Sequence, residues 1–280
     1  MSVLEKNRRL TYLHELTADG EVHANDYVVR ALLFSLTPEE AVSFFDLNFN
    51  QHYTVRHWLV EKISRDAERE VNDFHIDLAH ELLDMVGQTR FPKRETCAFA
   101  LGCLCKHMPG PLKNRIITEL LSSPYSKLRL RGYKYLREKW MPEFVDQIAE
   151  NWERFKEEKS AWLIIEHASD IQLFSDYNEY IKHFNPFQRS RLFLRLAQSN
   201  IEVVEELKAI DGISYAYVRA KLHKPLSSDD AKGLLKQNKD DARIGLLFWS
   251  LSQMELFEVI ADFHMEHGSP DPERLPPFIL

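Results

Sequence analysis

The chain has 280 residues, of which 44% are hydrophobic and 28% charged, with 9 glycines, 12 prolines and a formal net charge of −7. That composition suits a well-filled core and leaves little room for extended disorder. The acidic balance argues against a protein built chiefly to bind nucleic acid or an anionic membrane.

In chain order, helical periodicity runs through almost every segment, and no convincing alternating, β-branched strand pattern interrupts it. The spacing predicts helices over 2–17, 25–36, 38–47, 52–67, 70–86, 92–107, 111–122, 125–140 and 142–158. It continues with 160–169, 171–183, 186–199, 201–209, 213–223, 228–237, 240–252 and 254–267. Start signals are frequent. Thr37-Pro38-Glu39-Glu40 places a capping hydroxyl before an N1 proline and two acids at the positive helix end, and Met141-Pro142-Glu143 and Asn185-Pro186 open helices in the same way. The first residues set Lys6, Arg8 and Arg9 in an amphipathic pattern unlike a secretory signal. No run approaches the ~18 apolar residues that a bilayer span requires. A cytoplasmic location without a membrane partner is therefore expected. The last segment, 269–280, has four prolines and ends on Leu275, Phe278, Ile279 and Leu280. It reads either as a strap across the final helices or as an exposed docking tail.

A phrase recurs along this helical chain: an apolar residue joined to an arginine, followed by small and apolar residues every four positions. It stands as Val55-Arg56 with Leu59 and Ile63, as Leu128-Arg129 with Gly132 and Leu136, and more faintly at Val218-Arg219 and Ala242-Arg243. Thr96, Ala100 and Leu104 align with Leu128, Gly132 and Leu136 at an offset of 32, as does Pro92 with Pro124; Cys97 stands where the arginine would. These segments, best in 123–140, resemble the HEAT and armadillo-like repeat superfamily over residues 50–265. The resemblance implies an α-solenoid of HEAT-like antiparallel helix pairs, which binds other macromolecules and carries no catalytic residues across. One continuous domain over 1–268 is expected, followed by the tail.

The strongest candidate site is electrostatic. Residues 113–139 hold eight basic side chains against Glu119 and Glu138, a local +6 that leaves −13 for the rest. Tyr125, Arg129, Tyr133, Arg137 and Trp140 recur at helical spacing, with Arg131 and Lys134 beside them. Such cations interleaved with aromatics fit a partner surface, or phosphates with stacked bases. A structural use is also open. Glu143, Asp146, Glu150, Glu153 and Glu157 line one face of the next predicted helix, tyrosines at this spacing pack between repeats, and arginine in the repeat phrase serves in this superfamily as an internal ladder partner.

Other chemistries have weaker support. Cys97, Cys103, Cys105 and His107 are metal donors, but Cys103 and Cys105 point roughly 200° apart on a helix, so small buried thiols are expected and no metal or cofactor. Asp77 with His80, and His264 with His267, lie one turn apart without a completing motif. Phosphate-binding glycine loops and nucleophile elbows are absent from the sequence. The reading is a non-enzymatic adaptor that binds a protein or peptide. The alternative is a nucleic-acid-binding repeat protein similar to the alkylation-repair DNA glycosylases, in which Trp140, Trp152 and Trp162 near Asp146 would join Arg129 and Arg137.

Overall fold

The computed structural model describes residues 3–18, 26–47, 51–88, 93–199 and 202–268. These residues form α-helices and one 3-10 turn, with no strand among them. The helices gather into two compact units, Met1–Met141 and Pro142–Leu280. The expected tail at 269–280 and the Pro92 of the repeat alignment lie outside the described residues.

The first unit contains α1 (Val3–Ala18), α2 (Tyr27–Phe34), α3 (Pro38–Phe44), α4 (Tyr53–Arg69), α5 (Asp73–Gln88), α6 (Lys93–Cys105), α7 (Gly110–Ser122) and α8 (Ser126–Glu138). The start of α3 follows from its sequence: Thr37 accepts from the Glu40 amide, the Glu40 carboxylate accepts from the Thr37 amide at 2.8 Å, and Pro38 needs no amide partner. Alternate helices then pack side by side, α2 on α4, α4 on α6 and α6 on α8, while α3 meets α5. Sequential pairs close the same core, most extensively α5 with α6 and α7 with α8. Leu59 and Ile63, Leu101 and Leu104, and Leu128 and Leu136 are buried from α4, α6 and α8 respectively. Ala100 and Gly132, paired by the 32-residue offset, are both buried in adjacent helices. At Gly132 a Cβ would come within 2.8 Å of Leu121 Cδ2, so the missing side chain permits the close approach of α7 and α8.

The second unit opens with a 3-10 turn at Pro142–Phe144, then α9 (Val145–Phe155), α10 (Glu158–His167), α11 (Asp170–His183), α12 (Pro186–Ser199) and α13 (Glu202–Ile210). It closes with α14 (Gly212–Lys221), α15 (Ser228–Gln237), α16 (Ile244–Gln253) and α17 (Phe257–His267). Its alternate helices also meet in succession, α10 with α12, α12 with α14 and α14 with α16. Phe193, Ile213, Leu234, Leu247 and Leu251 belong to the buried cluster beneath them. Asn185 and Gln188 cap α12 reciprocally, at 2.9 and 3.0 Å.

Several boundaries differ from the sequence expectation by a few residues, and two of the shifts have a local cause in the chain. The helix expected through residue 140 ends at Glu138, and the next begins only at Val145. Pro142 disfavours helical backbone at Met141 and supplies no amide, so a 3-10 turn fills the junction. The helix expected from 240 starts at Ile244, because the Asp241 carboxylate accepts the Arg243 amide at 2.7 Å and holds a local turn.

Candidate partner-binding surface

The repeated arginine is first of all a loop fastener. Arg56 and Arg129 are each the fourth residue of their helix, and each reaches back past the helix start. Arg56 Nη1 donates to the Gln51 carbonyl and Arg129 Nη1 to the Ser123 carbonyl, both at 2.7 Å. Arg129 is only 3% exposed, so its guanidinium lies inside the unit, where a charge-assisted hydrogen bond joins it to that carbonyl. The fainter phrases stand differently. Arg219 lies in the last turn of α14 and donates to Lys224 and Pro225 carbonyls, whereas Arg243 precedes α16 and pairs with Asp211. Only the Arg56 and Arg129 phrases share a position.

This use of Arg129 divides the expected stripe. Tyr133 is 1% exposed and sits inside with Arg129, because α8 packs on both α6 and α7 and its interior arc is wider than one apolar column. Tyr125 is 46% exposed at the start of α8, where the Arg94 guanidinium lies 4.1 Å from its ring centroid. Trp140 is half-buried beyond the helix end. The remaining candidates, Arg131, Lys134 and Arg137, follow one another at three-residue intervals; Lys134 and Arg137 are exposed and Arg131 is partly so. No ion pair engages these three among the described residues. Other members of the basic segment do have acidic partners: Lys127 pairs with Glu95 at 2.5 Å, Arg115 lies 3.6 Å from Asp84, and Glu138 binds Lys106.

The surroundings of Arg131 add residues that the sequence reading did not select. Its guanidinium lies 5.2 Å from the Phe99 ring centroid on α6. His57, on α4, stacks on the same Phe99 at 5.4 Å with 14° between the planes. His57 is exposed and Phe99 partly exposed, so an aromatic and cationic column crosses α4, α6 and α8. The 32-residue offset already maps Phe99 onto Arg131. What it lacked was knowledge that α6 and α8 are spatial neighbours.

Beside this face lie thiols and a part-buried pair of polar side chains. Cys97 and Cys105 are buried and Cys103 partly exposed, and none of the three is in a disulfide. Burial pushes Cys103 upward despite nearby Arg131, Lys106 and Lys134, and raises Cys105 to about 12. Both shifts favour the protonated thiol at Cys103 and Cys105, as packing inside the unit would. His107 Nε2 lies 3.4 Å from Ser64 Oγ. No cluster of three or more His, Cys, Asp or Glu side chains suited to a metal occurs among the described residues. Asp77 and His80 are both exposed, while His264 stacks on Phe248 and His267 packs near Phe263.

The residues considered for base recognition have identifiable local roles. Within the second unit, Trp152 packs edge-on against Tyr180 and Phe184 at 4.9 and 5.3 Å and is buried. Trp162 Nε1 donates to Glu158 at 3.4 Å, and Asp146 is exposed in the first turn of α9. Among the described residues no helix is long and apolar enough to cross a membrane. In comparisons with protein-family models, curated proteins and solved structures, no significant match to the chain was found.

Proposed function

We propose that the chain is a non-enzymatic adaptor with a HEAT-like helical-repeat architecture, and that it holds a protein or peptide partner through the exposed side of α8 and its neighbours. One observation carries the reading. Arg129 and Tyr133 are committed to the interior, while Arg131, Lys134 and Arg137 stand at the surface without acidic partners among the described residues. Unpaired cations beside a partly exposed ring supply both electrostatic steering and an apolar contact. The succession of alternate helices in each unit supports the repeat architecture, because stacked pairs present one layer of parallel surface positions.

The charge balance favours protein over nucleic acid. The first unit has 20 basic and 19 acidic side chains, and the second has 16 and 24. A cluster of three available cations would give a salt dependence of only about −2.7 on duplex DNA, well short of a typical multi-phosphate contact set. Affinity capture from cells of the source organism, with and without nuclease, tests the reading. Partners that survive nuclease support it, and retention of nucleic acid alone rejects it.

A further inference from the structure

The column on α4, α6 and α8 also specifies partner chemistry. We infer that this face binds an acidic peptide segment, with Arg131 and Lys134 holding its carboxylates and Phe99 taking an adjacent apolar side chain. The inference deepens the adaptor reading and rests on it.

Charge complementarity selects the occupant. Arg131 and Arg137 lie six residues apart on the helix, with Lys134 midway, a rise of about 9 Å. That length suits a few carboxylates on an extended peptide and is short for tracking a phosphate backbone. The nearest acid on α8, Glu138, is already bound by Lys106 and so offers the cations little competition. Phe99 meets Arg131 at 5.2 Å and His57 at 5.4 Å. A guanidinium packed against a ring keeps its N–H edge available for a carboxylate, and its planar fork suits that group better than a point charge would. The ring and the cations therefore favour an acidic segment that also carries an apolar residue, whereas a uniformly charged polyanion would leave Phe99 unused.

Fluorescence anisotropy of the full chain with a labelled peptide of alternating glutamate and phenylalanine tests this directly. A glutamine-for-glutamate version of the peptide and a labelled single-stranded DNA serve as comparison probes. R131E/K134E should weaken the acidic peptide by about tenfold or more at low salt. Reversal of exposed Lys239 in the second unit should leave binding unchanged, and R131Q/K134Q should fall between wild type and reversal. Circular dichroism of each variant checks that the helices persist.

Weaker binding of the glutamine peptide and DNA than of the acidic peptide would support the assignment. Equal binding of the acidic peptide after R131E/K134E, or tighter binding of DNA, would overturn it. Wild-type self-association abolished by the same reversal would instead identify a second copy as the occupant and also overturn it. A chain that captures nuclease-resistant protein partners but ignores the acidic peptide would retain its adaptor reading and lose this one.

Discussion

Arg243 donates from Nη1 to both carboxylate oxygens of Asp211, at 3.0 and 2.9 Å, and so ties the turn before α16 to the start of α14. Asp211 is 5% exposed, caps Ser214 at 3.1 Å and lies 3.7 Å from Arg189 of α12. One buried carboxylate thus joins three helices that pack in succession. Asp211→Ala should cost about 3 kcal/mol, near the lower end for breaking a buried pair because Arg243 keeps Asp241. Asp211→Asn should cost less, since an amide oxygen can still cap α14. Urea titration of both variants measures the difference.

Arg129 and Arg137 provide a contrast within one helix. Arg129→Met should destabilise the chain by about 1–3 kcal/mol through the loss of a buried, charged donor to the Ser123 carbonyl. Arg137→Glu should stay within about 0.5 kcal/mol because its side chain is exposed. Parallel denaturant titrations distinguish them; equal costs would contradict the assignment of Arg129 to the interior.

Much of the helical order is legible in the sequence because short-range signals suffice, such as the Thr37–Glu40 capping box and the Asn185–Gln188 pair. The division of α8 is not. Arg129 and Arg131 have the same chemistry two positions apart, and only packing against both α6 and α7 decides which turns inward. The Phe99 column likewise joins residues 42 and 32 positions from it, through contacts between alternate helices that local periodicity does not encode.

His75 gives a pH signature. It is fully buried, and burial lowers its basicity, with Asp66 opposing that effect and Lys62 and His107 adding to it. Its Nδ1 accepts the Asn72 amide at 3.3 Å, while Nε2 has no hydrogen-bond partner among the described residues. The unfolded chain therefore takes up a proton more readily. The contribution to stability is present above the unfolded pKa of about 6.5 and is lost as pH falls from there through the lower folded value. His75→Leu should flatten the dependence measured by urea titration between mildly alkaline and mildly acidic buffer. An unchanged slope would remove His75 as a contributor.

Backbone conformation supplies a stabilising substitution. His223 and Glu255 adopt left-handed φ values of 53° and 61° after α14 and α16, positions where glycine relieves the clash of a Cβ with the following carbonyl. His223→Gly and Glu255→Gly should each raise stability by up to about 1 kcal/mol, after the added entropy of the unfolded chain is offset. Thermal denaturation reads the gain directly; a loss of stability at both sites would contradict the argument.

The adaptor role is tested most directly by quantitative comparison of the proteins captured by wild type and by R131E/K134E/R137E, after nuclease treatment and with unchanged helical circular dichroism. A defined set of partners on the wild type, depleted at least about tenfold on the variant, is the expected result. Identical capture by both chains, or no nuclease-resistant partner on either, would contradict it.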